Sequence, residues 1–519
     1  MNATSSRPSD GTDNVGVAPE AVGAQPSMAA SLFVIGSMVA LILISVVMFG
    51  SDVADGPLQV SMTLATLISV AVAGRYGHSG AVITKAIDNG INGVVGTLFV
   101  ILAIGSLIGT LYLCGSVAAV VYYGVDLLTA DYFYVTVFLL ASVLSYMLGS
   151  SLTTVGALGV SMVGLASVLG VDPAIAAGAV VSGAILGNKV AKISDTANLT
   201  VATVGGEDIA THSKAVTRTM IPAAVITAVI FLVLGLTVDS ADGAADFGQV
   251  KEAVSSQFNV SLLAFLPIVL IVVLSARGMS AFLSLVLPAI FAVVLAGFTQ
   301  PDLIESLADE GRSYVGGVIQ VGIDTFANGF ALDSGNDGLD QVFAGGGTAS
   351  MLTTIWLVLV AAAFGAVVDY VGILNRVVTP VINWTKNVLS LIGLTMASSI
   401  GMNLVTADPY TSIELAGRTF RSEYQRERLQ PVVLSTAIAD SGTTVSHIIP
   451  WNIHGALFAG TLGIAAVEWA PYTVFAYVTP IVSFAIAAAL SKKNRVPDDQ
   501  NVDQVYGPEP TPTGPDRIA

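Results

Sequence analysis

Four short stretches concentrate Gly, Ser, Thr, Asn and Asp in surroundings that are otherwise almost wholly apolar. The first two are Gly149-Ser-Ser-Leu-Thr-Thr-Val-Gly156 and Gly187-Asn-Lys-Val-Ala-Lys-Ile-Ser-Asp-Thr-Ala-Asn-Leu199. The other two are Gly401-Met-Asn-Leu-Val-Thr-Ala-Asp-Pro409 and Ala439-Asp-Ser-Gly-Thr-Thr-Val-Ser446, the last running on to Pro450-Trp-Asn452. These residue types make poor helix interior and favour unwound backbone. Free carbonyls, joined by side-chain oxygens, form a cage of hard ligands that suits Na⁺ or a proton and not a soft metal. The candidate oxygens belong to Ser194, Thr196, Asn198, Thr443, Ser446 and Asn452, with Thr154 and Asp408 facing them. A carboxylate removed from water holds its proton more tightly, and a bound cation displaces that proton. One buried Asp can therefore hold Na⁺ or H⁺ in turn, the simplest exchange chemistry. Asp195 and Asp440 are the candidates for these competing carboxylates and hence for Na⁺ ligands. If the substrate instead carries a carboxylate, Asn188 and Lys189 are placed to hold it.

Duller readings stand beside each of these. Ser150, Ser151, Thr153 and Thr154 also suit close helix packing. Asp195 and Asp440 could pair with Lys189, Lys192 or backbone, although an acid inside a membrane is by default a functional residue. Asp369 reads as an interfacial charge, and His447, His454 and Trp451 as packing residues as readily as ligands. Glu414 and the arginines that follow it read as a charged loop or interfacial helix with no site role.

The elements that position these residues are membrane helices. Of 519 residues, 54% are hydrophobic and 11% charged, against about 25% charged in ordinary soluble domains. Apolar runs occur at 31–50, 57–74, 92–113, 132–148, 219–238, 258–275, 280–298, 352–368, 387–400 and 470–490. A spanning helix needs about 20 mostly apolar residues. The runs are continuously apolar and not alternating, so helices and not a barrel follow. The fold class is all-α and polytopic, with about 12–14 passes, and unwound backbone at that depth must be buried in protein or line a wet cavity. A soluble enzyme is excluded. Cys114, the single cysteine, excludes a disulfide framework. The chain contains no Gly-x-x-x-x-Gly-Lys-Ser/Thr, so ion gradients must supply the energy and no cofactor is expected. The net charge of −16 argues against nucleic-acid partners and suggests a protein that works in high salt, a halophilic trait.

Lys and Arg near helix ends set orientation. Placing Arg75, Lys85, Lys214, Arg218, Arg277, Arg376, Lys386, the Arg418–Arg428 cluster and Lys492–Arg495 in the cytoplasm puts acidic loops outside and both termini inside. The expected organisation is a polar tail over 1–27, a transporter domain over 28–490 and a cytoplasmic tail over 491–519. A shift of 252 positions pairs Gly149 with Gly401, Thr154 with Thr406, Asn188 with Asp440 and Ser194 with Ser446. The helix at 219–238 leaves the cytoplasm while its partner at 470–490 returns to it. An inverted-topology repeat follows, about 92–238 and 352–490, with broken or re-entrant helices where transporters place their sites. The expected partners are the lipid bilayer and small ions or a small organic solute, with a homodimer as one option for the assembly.

At the polar clusters the chain resembles the NhaC-type Na⁺/H⁺ antiporter family, within the ion-transporter superfamily. Three passages carry the likeness: Gly109-Thr-Leu-Tyr-Leu-Cys-Gly115 running to Tyr122-Tyr-Gly124, Lys189 to Leu199 with its Ser194-Asp-Thr196 core, and Asn403 to Gly463. The last holds Ala407-Asp-Pro-Tyr-Thr-Ser-Ile413, Gly442-Thr443 and Ile449-Pro-Trp-Asn452, and the likeness covers about residues 30–490. It implies Na⁺/H⁺ exchange across the plasma membrane by alternating access. The sequence departs from the family pattern at Asn188 (usually Asp), Leu152-Thr153 (usually Trp-Gly), Thr436 (usually Arg) and Ala439 (usually Glu). Some relatives exchange malate for lactate or arginine for ornithine, so an amino-acid or carboxylate exchanger is the alternative that the resemblance implies.

Overall fold

The computed structural model describes residues 23–127, 129–237, 247–334, 340, 343–382, 385–490 and 494–508. Asp239, Asp242, Asp246 and Asp337 of the acidic loops, most of the N-terminal tail, and residues 491–493 and 509–519 of the C-terminal tail lie outside the described residues. The chain opens with α1 (Met28–Phe49), α2 (Pro57–Arg75), α3 (Gly80–Leu113) and α4 (Ser116–Leu127). Next come α5 (Phe133–Leu148), α6 (Ser151–Val168), α7 (Pro173–Val190), α8 (Asp195–Val204) and α9 (Ile209–Thr237). After α10 (Phe247–Gln257), α11 (Leu266–Ala276), α12 (Ala281–Thr299), α13 (Pro301–Leu307) and α14 (Tyr314–Asn328), a two-residue hairpin pairs Phe330–Ala331 with Ala344–Gly345. The second half holds α15 (Leu352–Tyr370), α16 (Ile373–Ile382), α17 (Val388–Thr406), α18 (Pro409–Arg426), α19 (Pro431–Ile448), α20 (Ile453–Leu462) and α21 (Ala466–Tyr472). It closes with α22 (Val474–Leu490) and α23 (Val502–Tyr506).

Among the described residues, ten helices are long and apolar enough to cross a membrane, or 13 if each bent helix pair counts as one span. Large apolar side chains point outward, including Phe33, Val47, Leu67, Ile221 and Ile481, while many Ser and Thr are fully buried. That is the arrangement lipid selects: apolar residues face the tails, and small polar residues let helices approach and bond to one another. Gly183 shows how close they come, since a Cβ there would lie 2.3 Å from the Phe138 carbonyl of α5.

The polar stretches are far more helical than their composition predicts. Backbone departs from helix only at 149–150, 191–194, 407–408 and 449–452, and two single π-turns interrupt α6 (Val155–Gly159) and α19 (Ala439–Thr443). The hydroxyls explain the rest. Thr154 donates to Ser150 O (2.8 Å), Thr406 to Met402 O (2.9 Å), Ser441 to Ala437 O (2.6 Å) and Thr443 to Ala439 O (2.6 Å). Each turns its polar atom back onto its own helix, so Ser and Thr cost little there and can bend the helix. Composition had also hidden α7, whose Gly- and Ala-rich sequence carries too few large apolar residues to stand out.

The helix ends recur at one spacing. The N-caps Ser150, Asp172 and Ser194 and the C-cap Gly205 are followed 258 positions later by the N-caps Asp408, Gln430 and Asn452 and the C-cap Gly463. This spacing differs by six from the 252 read from residue identities. In this register Asn188 corresponds to Ser446, Lys189 to His447 and Asp440 to Ser182.

Candidate functional site

In each half of the chain a tight turn meets a helix break. In the first half Gly149 is left-handed (φ 64°) between α5 and α6, and a Cβ there would lie 2.3 Å from Ile193 in the α7–α8 break. Ser150 then caps α6 by accepting from Thr153 N at 3.2 Å. In the second half Ala407 takes the same left-handed conformation (φ 56°) between α17 and α18. Asp408 caps α18, accepting from Thr411 N (2.8 Å), Thr411 Oγ1 (2.6 Å) and Tyr410 N (3.3 Å). This turn is tied to the α19–α20 break: Ile453 N donates to Ala407 O (3.0 Å) and Trp451 Nε1 to Leu404 O (2.8 Å).

Of the contacts that cross between the halves, two join a helix start of one half to the other half's turn or break. The Tyr410 hydroxyl donates to Asp195 Oδ2 at 2.5 Å, and Ser151 Oγ bonds His447 Nε2 at 3.2 Å. His447 stacks on His454 with 4.4 Å between ring centres, and Ser446 Oγ reaches Nδ1 of both rings at 3.3 and 3.1 Å. Asn452 donates to Asn403 Oδ1 (3.2 Å), and Asn403 donates to Ser412 Oγ (2.8 Å). A polar seam thus runs from the start of α8 through α18 and α20 to the start of α6.

Asp440 lies on the π-turn of α19 and is fully buried. A π-turn widens the helix and leaves a carbonyl without its usual partner, which is why such turns cluster at functional sites. Here the carbonyl of Ala439, one residue from Asp440, accepts from the buried Lys189 of α7 as well as from the Thr443 and Thr444 hydroxyls. Asp440 Oδ2 accepts from Ser483 Oγ of α22 at 2.7 Å, while Oδ1 is buried with no hydrogen-bond partner. Asn188 Oδ1 and Ser399 Oγ are likewise buried without partners. Asp440 is the buried acid of the described membrane-spanning helices, whereas the other acid with a buried side chain, Glu207, lies in the α8–α9 loop.

The other candidates divide. Thr196, Ser194, Thr154, Asn188, Lys189, Thr443, Ser446 and Asn452 are all buried at or beside the seam. Asp195 is not: it is exposed as the first residue of α8, so the expectation of a second buried carboxylate fails. The break at 191–194 carries it to the surface of the seam, where only Tyr410 and its own helix hold it. Of the two acids that Lys189 could pair with, the register of α7 sends it toward Asp440, onto the neighbouring Ala439 O, and away from Asp195. Asn198 is exposed and donates to Lys192 O (3.1 Å) and Ser194 O (2.7 Å), closing the α7–α8 break.

Sequence reasoning missed Tyr410 and Ser483, and it read Ser151 as readily for helix packing as for the site. Tyr410 stood within the quoted Asp408-Pro-Tyr run and follows a cap, which was the available signal. Ser483 sits in an apolar helix and has none.

Two polar cavities approach the seam. A cleft of about 320 Å³ between α3, α15 and α18 is lined by Asp369, Asp408, Tyr410, Glu414 and Arg418. Asp369 and Glu414, read as bystanders, therefore line it. A cavity of about 400 Å³ lined by Asp52, Asp55, Gln59, Thr354, Pro450 and Glu468 reaches the α19–α20 break. Arg421 is a further correction: it is buried rather than a loop charge. It donates to Val204 O (2.6 Å), Tyr506 O (3.0 Å), Gly507 O (2.9 Å) and Pro508 O (3.1 Å), which straps the C-terminal segment over the α8–α9 loop. In that loop burial pushes the Glu207 carboxyl up to about 7, with the charge of Asp208 adding to the effect.

Broken helices, a tight turn against each break and a buried acid beside a buried lysine are what a polytopic helical transporter of the secondary type requires. Residues 189–489 match the Na⁺/H⁺ antiporter family. The chain is 33% identical over 455 residues to the Na⁺/H⁺ antiporter NhaC of Alkalihalophilus pseudofirmus, covering 87% of this chain and 94% of that one. It is 30% identical over 430 residues to the NhaC of Bacillus subtilis, covering 82% and 91%. A more distant relative, at 28% over 466 residues and 88% and 91% coverage, is the arginine/ornithine antiporter ArcD of Halobacterium salinarum. This chain belongs to the Na⁺/H⁺ antiporter family and is a multi-pass membrane protein.

Proposed function

We propose that the chain exchanges Na⁺ for H⁺ across the cell membrane by alternating access, with Asp440 as the carboxylate for which cation and proton compete. The single observation that carries this reading is Asp440 itself, fully buried, with one oxygen on Ser483 and the other unpartnered. A buried unpaired charge is costly, so this group is stable only when it holds a proton or a cation, or answers a nearby positive charge. Lys189, one carbonyl away, supplies that third state and keeps the site neutral between loads. Asp195, held by Tyr410 at the seam, receives the cation first and passes it inward.

The recurrence of helix ends at 258 positions supports two repeats, which we place in opposite orientations with both termini in the cytoplasm. In that orientation the cleft beside Asp408 opens inward and ends at the α17–α18 turn, and the cavity beside Asp52 and Glu468 opens outward and ends at the α19–α20 break. The relative that exchanges arginine for ornithine motivates a second reading, with Lys189 binding a substrate carboxylate. The engagement of Lys189 by Ala439 O weighs against it.

Reconstitution in liposomes tests the proposal. An imposed Na⁺ gradient should drive proton flux in the opposite sense. Exchange of labelled arginine, ornithine or malate without Na⁺-dependent proton movement would replace it with the second reading.

A further inference from the structure

A third cavity, of about 310 Å³, lies between α9, α19 and α22, away from both clefts. Lys214 and Arg218 line it, with Thr436, Gln430 and Asn494 as polar neighbours, and no Asp or Glu among its lining residues. Both basic side chains are exposed. The Thr436 hydroxyl is buried with no partner. A pocket with two positive charges and free donors is built for an anion.

The rest of the same helix face says which kind. Lys214 and Arg218 are four residues apart, and Ile221, Val225 and Val229 continue that stripe at helical spacing. These three are 58%, 58% and 53% exposed and have no protein to cover them. In a chain that spans the membrane this strip faces acyl tails, and the basic pair sits at its end, where headgroups lie. A soluble anion would use the charges and leave the strip unexplained. We infer that the cavity between α9, α19 and α22 is a binding site for an anionic phospholipid. Its phosphate sits between Lys214 and Arg218, and its chains lie along Ile221, Val225 and Val229. Basic pockets between membrane helices bind such headgroups through the same chemistry.

The site also reaches the transport machinery. Ser483, the residue that donates to Asp440, forms part of the cavity wall, and Thr219 follows Arg218 in the same wall. A lipid held there touches α22 and α9, the helices that carry Ser483 and Thr219.

The test is independent of any transport assay. Native mass spectrometry of the full chain, released from nanodiscs of phosphatidylglycerol and phosphatidylcholine in equal amounts, should retain phosphatidylglycerol preferentially. Lys214→Gln and Arg218→Gln should each weaken that retention about fivefold, the scale for one basic side chain near an anionic leaflet. Val225→Ser should weaken it while leaving the charges in place. Equal retention of both lipids, or unchanged retention in the Lys214→Gln/Arg218→Gln double variant, would overturn the inference. If inorganic phosphate displaces the lipid completely at millimolar concentration, the ligand is a soluble anion, and the lipid assignment is wrong.

Discussion

The Tyr410 hydroxyl donates to the Asp195 carboxylate at 2.5 Å, joining residues 215 positions apart in sequence. One sits two residues past the N-cap of α18 and the other is the first residue of α8, so the bond links the turn of one half to the helix break of the other. Removing the hydroxyl in Tyr410→Phe leaves the ring in place and frees Asp195. The expected result is a folded protein with weaker Na⁺ activation. A stability loss of about 1 kcal/mol is also expected, the usual worth of one hydrogen bond at a partly exposed site. A double-mutant cycle with Asp195→Asn checks it: strictly additive effects on Na⁺ activation would show that the two residues do not act together.

Much of this arrangement could be read from the sequence, and the failures have physical causes. Apolar runs marked most of the spans because lipid imposes length and hydropathy directly. They missed α6, the α19–α20 pair and α7, whose small residues pack against α5 at glycine distance. The polar clusters fell where the breaks are, yet Ser and Thr content overstated the unwinding, because their hydroxyls bond within the helix. Asp440 was legible as a buried acid. The exposure of Asp195 depended on the direction in which the break at 191–194 turns the chain, which no local pattern encodes. Arg421 looked like a surface charge because its acceptors are carbonyls of a distant C-terminal segment.

Gly442 tests the packing around the π-turn. A Cβ at this position would lie 2.1 Å from Ser399 Oγ and 3.0 Å from Ser399 O, with Asn403 Nδ2 at 2.9 Å. Gly442→Ala must push α17 away from α19 and should cost about 1–3 kcal/mol, the range for overpacking a close interior. Thermal unfolding in detergent reads it, and an unchanged midpoint would mean that the two helices are not so closely apposed.

The strap held by Arg421 makes a separate prediction. Arg421→Ala removes a charged donor from four carbonyls, each such bond being worth about 1.5–3 kcal/mol when its partner is charged. Limited proteolysis should then cut within 494–508 at protease levels that leave the wild-type chain intact. Equal resistance in both proteins would show that Arg421 does not hold the segment.

Glu207 gives the pH dependence of the same region. Its folded carboxyl titrates at about 7 against an ordinary 4.5, so the folded state keeps a proton that the unfolded chain has lost. Stability from this group therefore falls as pH rises from about 4.5 to about 7. Unfolding midpoints measured from pH 5 to pH 8 should decline in the wild type, and Glu207→Gln, which cannot ionise, should flatten the decline. A steeper decline in the variant would reverse the assignment.

The most direct measurement of the central claim is Na⁺-driven proton flux in proteoliposomes, compared between the wild-type chain and Asp440→Asn across pH. Asn keeps the shape of the side chain but cannot take up or release a proton, so exchange should be abolished in a protein that still folds. Ser483→Ala, which removes the donor to Asp440 Oδ2, should shift the pH profile of the surviving activity; a one-unit shift corresponds to about 1.4 kcal/mol. Wild-type rates and an unaltered pH profile in Asp440→Asn would contradict the account and reduce Asp440 to a structural residue.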